Sequence, residues 1–182
     1  MVGMSSIDII RDGLGRVHEL VPAVLEGMDA ADLTWRPDPD SNPMGWLVWH
    51  LCRVEDGHVS ELDGSEQVWT AGGWQSRFGL PYPPDSGGFG QTSEQVGQFD
   101  VGSELLIGYA DAVAEQTGRV LDGLAEADLE RIIDRRWDPP VTVAARLVSV
   151  VLDTAQHIGQ AAYLKGLRER AKGTESGWHG YV

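Results

Sequence analysis

The sequence predicts an all-α protein, a four-helix bundle with one long Gly- and aromatic-rich crossover loop. Three observations carry that expectation. Apolar residues recur at steps of three and four over four separate stretches, no stretch of useful length alternates as a strand would, and the segment from Ser65 to Phe99 divides the helical stretches two and two. The first helix is expected from Ser6 to Met28, on Ile7, Ile10, Leu14, Val17, Val21, Val24, Leu25 and Met28, with Ser5 or Ser6 as its cap. Pro22 lies inside that pattern and removes a backbone hydrogen bond, which predicts a kink or an early end. Asp29 to Asn42 breaks the period. Pro43 is then placed for the first turn of a second helix running to about Leu62 and stopping at Asp63-Gly64.

From Ser65 to Phe99, seven glycines are interleaved with Trp69, Trp74, Phe78, Tyr82, Phe89 and Phe99. A flexible linker would be polar and poor in aromatic residues, and long loops in compact domains are usually functional, so this segment reads as an aromatic-anchored loop packed over the domain. Helical period resumes from Asp100 to about Leu124, and Asp128 to Val141 reads as irregular. A last helix is expected from Thr142, its N-cap, to about Arg170, with Lys165, Arg168 and Arg170 suited to the negative end of its dipole. Residues 1–170 are thus read as one bundle domain, and 171–182 as a Gly-rich tail carrying Trp178, His179 and Tyr181.

Composition excludes several kinds of function. The 182 residues carry 28 Asp+Glu against 14 Lys+Arg, a net charge of −14, which argues against nucleic acid or an anionic membrane as partner. Cys52 is the single cysteine, so no internal disulfide or thiolate-rich zinc knuckle is available, a usage that suits a reducing cytoplasm. The opening residues lack the basic and apolar regions of a secretion signal, and no run approaches the roughly 20 apolar residues of a membrane span. No nucleophile elbow, P-loop, dinucleotide fingerprint or H-E-x-x-H is present.

The last helix carries the most informative pattern. At about 100° per residue, Arg146, Ser149, Asp153, Gln156, His157 and Gln160 form one narrow polar stripe on an otherwise apolar helix. That stripe is either the wet outer face of the helix or, with Asp153 and His157 four apart on one face, a pair of metal ligands. Such a pair needs a third donor. His50 projects from the apolar side of the second helix and is either a core histidine or that donor, and His58, within about 80° of it, is a weaker candidate. His18 and His179 fit no ligand spacing, and Cys52 points away from His50 and reads as a small hydrophobe.

Four segments together resemble the DinB superfamily of metal-binding four-helix bundles, in particular the actinobacterial branch that includes mycothiol-dependent S-transferases. They are Asp32-Leu33-Thr34-Trp35-Arg36-Pro37, Asn42 through Leu51, the loop from Gly72-Gly73-Trp74 through Phe89-Gly90-Gln91-Thr92-Ser93, and His157-Ile158-Gly159-Gln160. The resemblance implies a divalent metal held by His50, Asp153 and His157, with Asp153 standing where many members carry a third histidine. Zinc suits imidazole and carboxylate donors, and nickel, iron(II) and manganese are also compatible with two histidines and one carboxylate.

Three protein ligands leave a coordination position open, as catalytic sites do. The resemblance therefore implies a detoxifying transferase in which the metal activates a low-molecular-weight thiol, mycothiol, toward a small electrophile. Trp74, Phe78, Tyr82, Phe89 and Gln160 are expected to bind these cosubstrates, and the chain is expected as a monomer or homodimer. Maleylpyruvate isomerase-like chemistry on the same metal and thiol, metal-dependent hydrolysis, and a non-catalytic metal-binding or interaction bundle are the alternatives.

Overall fold

The computed structural model describes residues 3–173. Four long helices, α1 (Ser6–Leu25), α3 (Met44–Asp63), α7 (Ser103–Asp122) and α8 (Val143–Ala171), form the bundle. Short helices α2 (Ala30–Leu33), α4 (Val68–Ala71), α5 (Trp74–Phe78) and α6 (Ser93–Val96) punctuate the connections. Helix α3 packs on α7 and α8, and α1 on the same two, so α1 and α3 lie diagonally opposite.

The helix ends follow from local chemistry. Ser5 caps α1 in a reciprocal capping box with Asp8. Pro22 stays inside α1, which ends three residues later at Leu25, where the Glu26 N–H donates to the Pro22 carbonyl. Pro43 is the N-cap of α3 rather than its first-turn residue, and Gly64, at φ +77°, ends that helix where expected. Helix α7 begins at Ser103 instead of Asp100, because residues 100–102 stay outside the helix while Phe99 and Val101 plug the core. Thr142 caps α8 through the Ala145 N–H. The stretch read as irregular contains a 3₁₀ turn (Glu126–Glu130) and a minimal antiparallel ladder, β1 (Ile132–Asp134) with β2 (Val141–Thr142). The ladder has too few residues to show alternation, which is why the period of two was invisible. Of the predicted tail only residues 171–173 are described, and Trp178, His179 and Tyr181 lie outside the described residues.

The core explains how the crossover is held. Helix α3 is buried on nearly every face, and Trp49 at its centre is 0% exposed. Trp69, Trp74, Phe78 and Tyr109 form a contiguous ring cluster with centroids 5.1–6.4 Å apart, which pins α4 and α5 onto α7. Asp56 on α3 is buried. Its carboxylate accepts the N–H groups of Val68 and Trp69, each at 2.8 Å, and the Tyr109 hydroxyl at 2.7 Å. Arg53 beside it donates to Gln67, Tyr109 and the Ser86 carbonyl and lies 4.8 Å over the Trp69 ring. Buried charge survives only when satisfied, and here it is satisfied by the loop, so folding the crossover and burying α3 are one event.

The Asp32 to Pro37 segment plays the same part at the other end. Asp32, 1% exposed, takes Arg168 at 2.8 Å and Lys172 at 2.9 Å, and Arg36 reaches Ser93 of the crossover. No helix among the described residues is long and apolar enough to cross a membrane.

Candidate metal centre

Two neighbouring helices deliver the site. Helix α3 carries His50, 7% exposed, and α8 carries Asp153 and His157 one turn apart. One ligand atom from each of the three lies within 4.8 Å of the others, and the two imidazole rings meet edge to face at 4.7 Å. The core histidine and the ligand candidate are thus the same residue, and the α8 stripe is neither fully wet nor fully buried. His157 and Asp153 keep side-chain exposures of 19% and 39%, so the cluster opens to solvent on the α8 side.

Each ring is oriented from behind. His50 stacks on Trp46 with centroids 4.7 Å apart and planes 14° off parallel, and its Nδ1–H donates to the Gly87 carbonyl. Trp46 in turn donates to Gln91, so residues 87–91 of the crossover lie directly on the Trp46–His50 stack. His157 Nδ1 pairs with Gln160 Oε1 at 3.0 Å, which leaves Nε2 facing Asp153 Oδ1 at 3.7 Å. An outer hydrogen bond of this kind fixes the tautomer and presents the opposite nitrogen as donor. Burial, with the neighbouring His157, lowers the pKa of His50 against the opposing pull of Gly87 and Asp153 and favours the neutral imidazole a metal needs.

The donor set fits a divalent cation. Asp153 Oδ1 is buried and has no hydrogen-bond partner, an arrangement that costs stability unless something positive faces it. Two imidazole nitrogens and a carboxylate oxygen converging with one open side match three-ligand catalytic centres.

The remaining predicted site residues divide. Trp74 and Phe78, 8% and 6% exposed, lie in the ring cluster on α7 and hold the crossover. Tyr82 packs on Trp49 and donates to the Gln95 carbonyl, and burial pushes its pKa up to about 12. Phe89 alone projects outward, 99% exposed, one residue beyond Gly88, which touches His50. Gln160 is exposed and bonds His157 rather than standing apart from the ligands.

Cys52 is fully buried, and burial together with Glu55 and Asp56 pushes its thiol well above the usual range, as suits a hydrophobe. His18 lies elsewhere, 2.9 Å from the buried Glu55, which also accepts from Thr117 at 2.6 Å. His58 joins Arg146 at 3.4 Å, farther along the α3/α8 groove. No spacing rule could have found these pairs, because their members sit on different helices.

An all-α bundle whose second and last long helices converge on a two-histidine, one-carboxylate cluster defines a class of metal-binding helical bundles. A sequence profile of the DinB superfamily matches residues 14–161, a span containing all three cluster residues, and the chain belongs to that superfamily. The fold is also similar to the crystal structure of a conserved protein from Enterococcus faecalis, at 32% identity and a TM-score of 0.85, over 91% of this chain and 98% of that one. No curated protein matches the chain significantly.

Proposed function

We propose that the protein is a metal-dependent S-transferase joining a low-molecular-weight thiol, mycothiol by the resemblance of its motifs, to small electrophiles. The observation that carries this reading is the cluster itself, with two imidazoles turned Nε2-inward and the orphaned Asp153 oxygen beside an open side. A divalent ion held by His50, Asp153 and His157 supplies the Lewis acidity that favours the thiolate of a small thiol at neutral pH. The chain's own thiol is buried and kept protonated, so the nucleophile is brought in from outside. Trp46, Gly87 and Gln160 keep both imidazoles oriented, and exposed Phe89 offers an apolar cover for the electrophile. The sulfur–carbon bond forms as the bond from carbon to its leaving group breaks, and the thiol proton goes to solvent.

The test combines elemental analysis with thiol counting. Protein expressed with ample metal should carry one divalent ion per chain, and His50→Ala and His157→Ala should lose it while remaining helical. Wild type should consume one thiol per electrophile, where an isomerase would regenerate the thiol and a hydrolase would ignore it. Protein without stoichiometric metal, or turnover without thiol loss, defeats the proposal.

A further inference from the structure

The α3/α8 interface does not end at the triad. Helices α3 and α8 run antiparallel there, so His50 meets His157 at one end and His58 meets Arg146 at the other. Seven residues separate Arg146 from Asp153, about 10 Å along the helix. Between the ends in sequence lie Val54 on α3, half-buried, and Ser149 on α8, exposed. Beyond Arg146 lies a cavity of about 340 Å³, walled by Glu61, Ile133, Asp134, Arg135, Arg136 and Arg146.

The cationic side of this cavity is poorly satisfied. Asp134 is fully engaged by Arg136, which meets it through Nε at 2.9 Å and Nη2 at 2.8 Å. Arg146, only 14% exposed, stands 3.7 Å from Asp134, outside hydrogen-bond reach. Its Nη1 donates to His58 Nε2 at 3.4 Å, so His58 Nδ1 carries the ring proton. Both that Nδ1 and Arg146 Nε are buried with no hydrogen-bond partner, and Glu61 is 3.7 Å from His58 Nδ1. Arg135 is exposed and makes no hydrogen bond or ion pair among the described residues. Three guanidiniums against two carboxylates thus frame a cavity on a chain of net charge −14. Arg146, which keeps an unfilled Nε–H, and unpaired Arg135 both stand in this wall, and a guanidinium suits a carboxylate best.

We infer that this cavity binds the carboxylate of the electrophile that reacts at the triad. The inference rests on the transferase reading and narrows its substrate class to electrophiles that carry a carboxylate. The hairpin β1–β2 then has a purpose beyond closing the bundle, since it carries Arg135 and Arg136 into the cavity wall, with Asp134 holding Arg136 in place.

Calorimetric titration of the full chain with succinate tests the site without reference to catalysis. Wild type and His157→Ala should bind succinate alike, Arg146→Gln about tenfold or more weakly, and Arg135→Gln severalfold more weakly. Arg135→Gln removes an unpaired surface charge and keeps the test decisive even where Arg146→Gln fails to fold.

The kinetic arm uses two electrophiles alike but for a carboxylate. Arg146→Gln should raise KM for the acidic one about tenfold with kcat retained and leave the neutral one unchanged. Equal succinate affinity in wild type and both arginine variants, or equal losses on both electrophiles, overturns the inference. If neither electrophile reacts with wild type while succinate binding follows the arginines, the transferase reading fails and the anion subsite stands.

Discussion

Replacing Gly88 with alanine asks whether the crossover loop sets the metal centre. Gly88 sits at φ +96°, a conformation that side chains other than glycine's rarely adopt. A Cβ there would come within 2.8 Å of both His50 Nδ1 and Trp46 Cζ2, and 3.1 Å from Trp49 Cζ3. None of the three can retreat, because Trp49 is fully buried and the other two are stacked on each other. The loop must therefore lift, and with it the Gly87 carbonyl that receives the His50 proton. Backbone strain of this kind costs about 1–3 kcal/mol, and loss of a ligand's outer hydrogen bond weakens metal affinity by about 10- to 100-fold. Urea denaturation reads the first quantity, and zinc competition against a chromophoric chelator reads the second. Phe89→Ala, one residue on and fully exposed, should change neither. A Gly88→Ala protein that is fully helical and binds zinc as tightly as wild type would refute the reasoning.

Three further outcomes follow from the buried ionic groups. Burial raises the Asp32 pKa, but hydrogen bonds from Lys172, Arg168 and the Asp29–Asp32 cap outweigh it and bring it from 3.8 to about 2. A depressed carboxylate stabilises the fold above its unfolded pKa and loses that contribution as pH falls through about 2. Asp32→Asn should therefore cost about 2 kcal/mol near neutrality and flatten the denaturation midpoint between pH 4 and 2, and an unchanged acid limb would contradict the assignment. For His18, burial lowers the pKa, but the bond to Glu55 and the charges of Glu55 and Asp111 raise it further, so the net shift is upward. Its stabilisation is present below the unfolded pKa of about 6.5 and fades as pH rises through the folded value. The stability difference between wild type and His18→Gln should shrink from pH 6 to 9 in thermal melts, and a constant difference would sink the pairing. Finally, Asp153→Ala should abolish zinc binding, Gln160→Ala should weaken it about 10- to 100-fold, and the reverse ranking in the chelator assay would misplace the ligand.

The four long helices were legible because an amphipathic helix writes its core face into the spacing of its apolar residues, and Ser5, Gly64 and Thr142 mark ends by local chemistry alone. The Asp153–His157 pair was legible for the same reason, since four residues on a helix is already a contact. His50 needed the family resemblance, because nothing local distinguishes a histidine facing a ligand from one facing a core. Nothing local marks Arg53, Asp56 and Glu55 as interior. Their partners lie on the crossover, on α7 and on α1, and only tertiary pairing converts a polar sector of a helix into an interior one. Trp74 and Phe78 illustrate the converse, because composition shows that aromatic rings anchor a loop but not which of them face the site.

These buried networks and the metal centre stand in a causal order. His50 can be aimed within a fraction of an ångström only if both the helix beneath it and the carbonyl above it are fixed. Helix α3 is fixed by being buried nearly all round, which is possible for Arg53 and Asp56 only because the loop and α7 satisfy them. The carbonyl is fixed because Ser86, one residue before Gly87, receives the Arg53 Nε–H at 3.3 Å. The same guanidinium thus anchors the start of the crossover at Gln67 and its return at Ser86, bracketing the segment that ends on His50. By contrast Asp153 is left with an unpartnered oxygen, a destabilising arrangement, whereas Asp32 and Asp56 are each satisfied by several donors. Glu55 also keeps one buried oxygen without a partner, but among the described residues only at Asp153 do two imidazole nitrogens converge beside the unpartnered oxygen, so a cation there would compensate it.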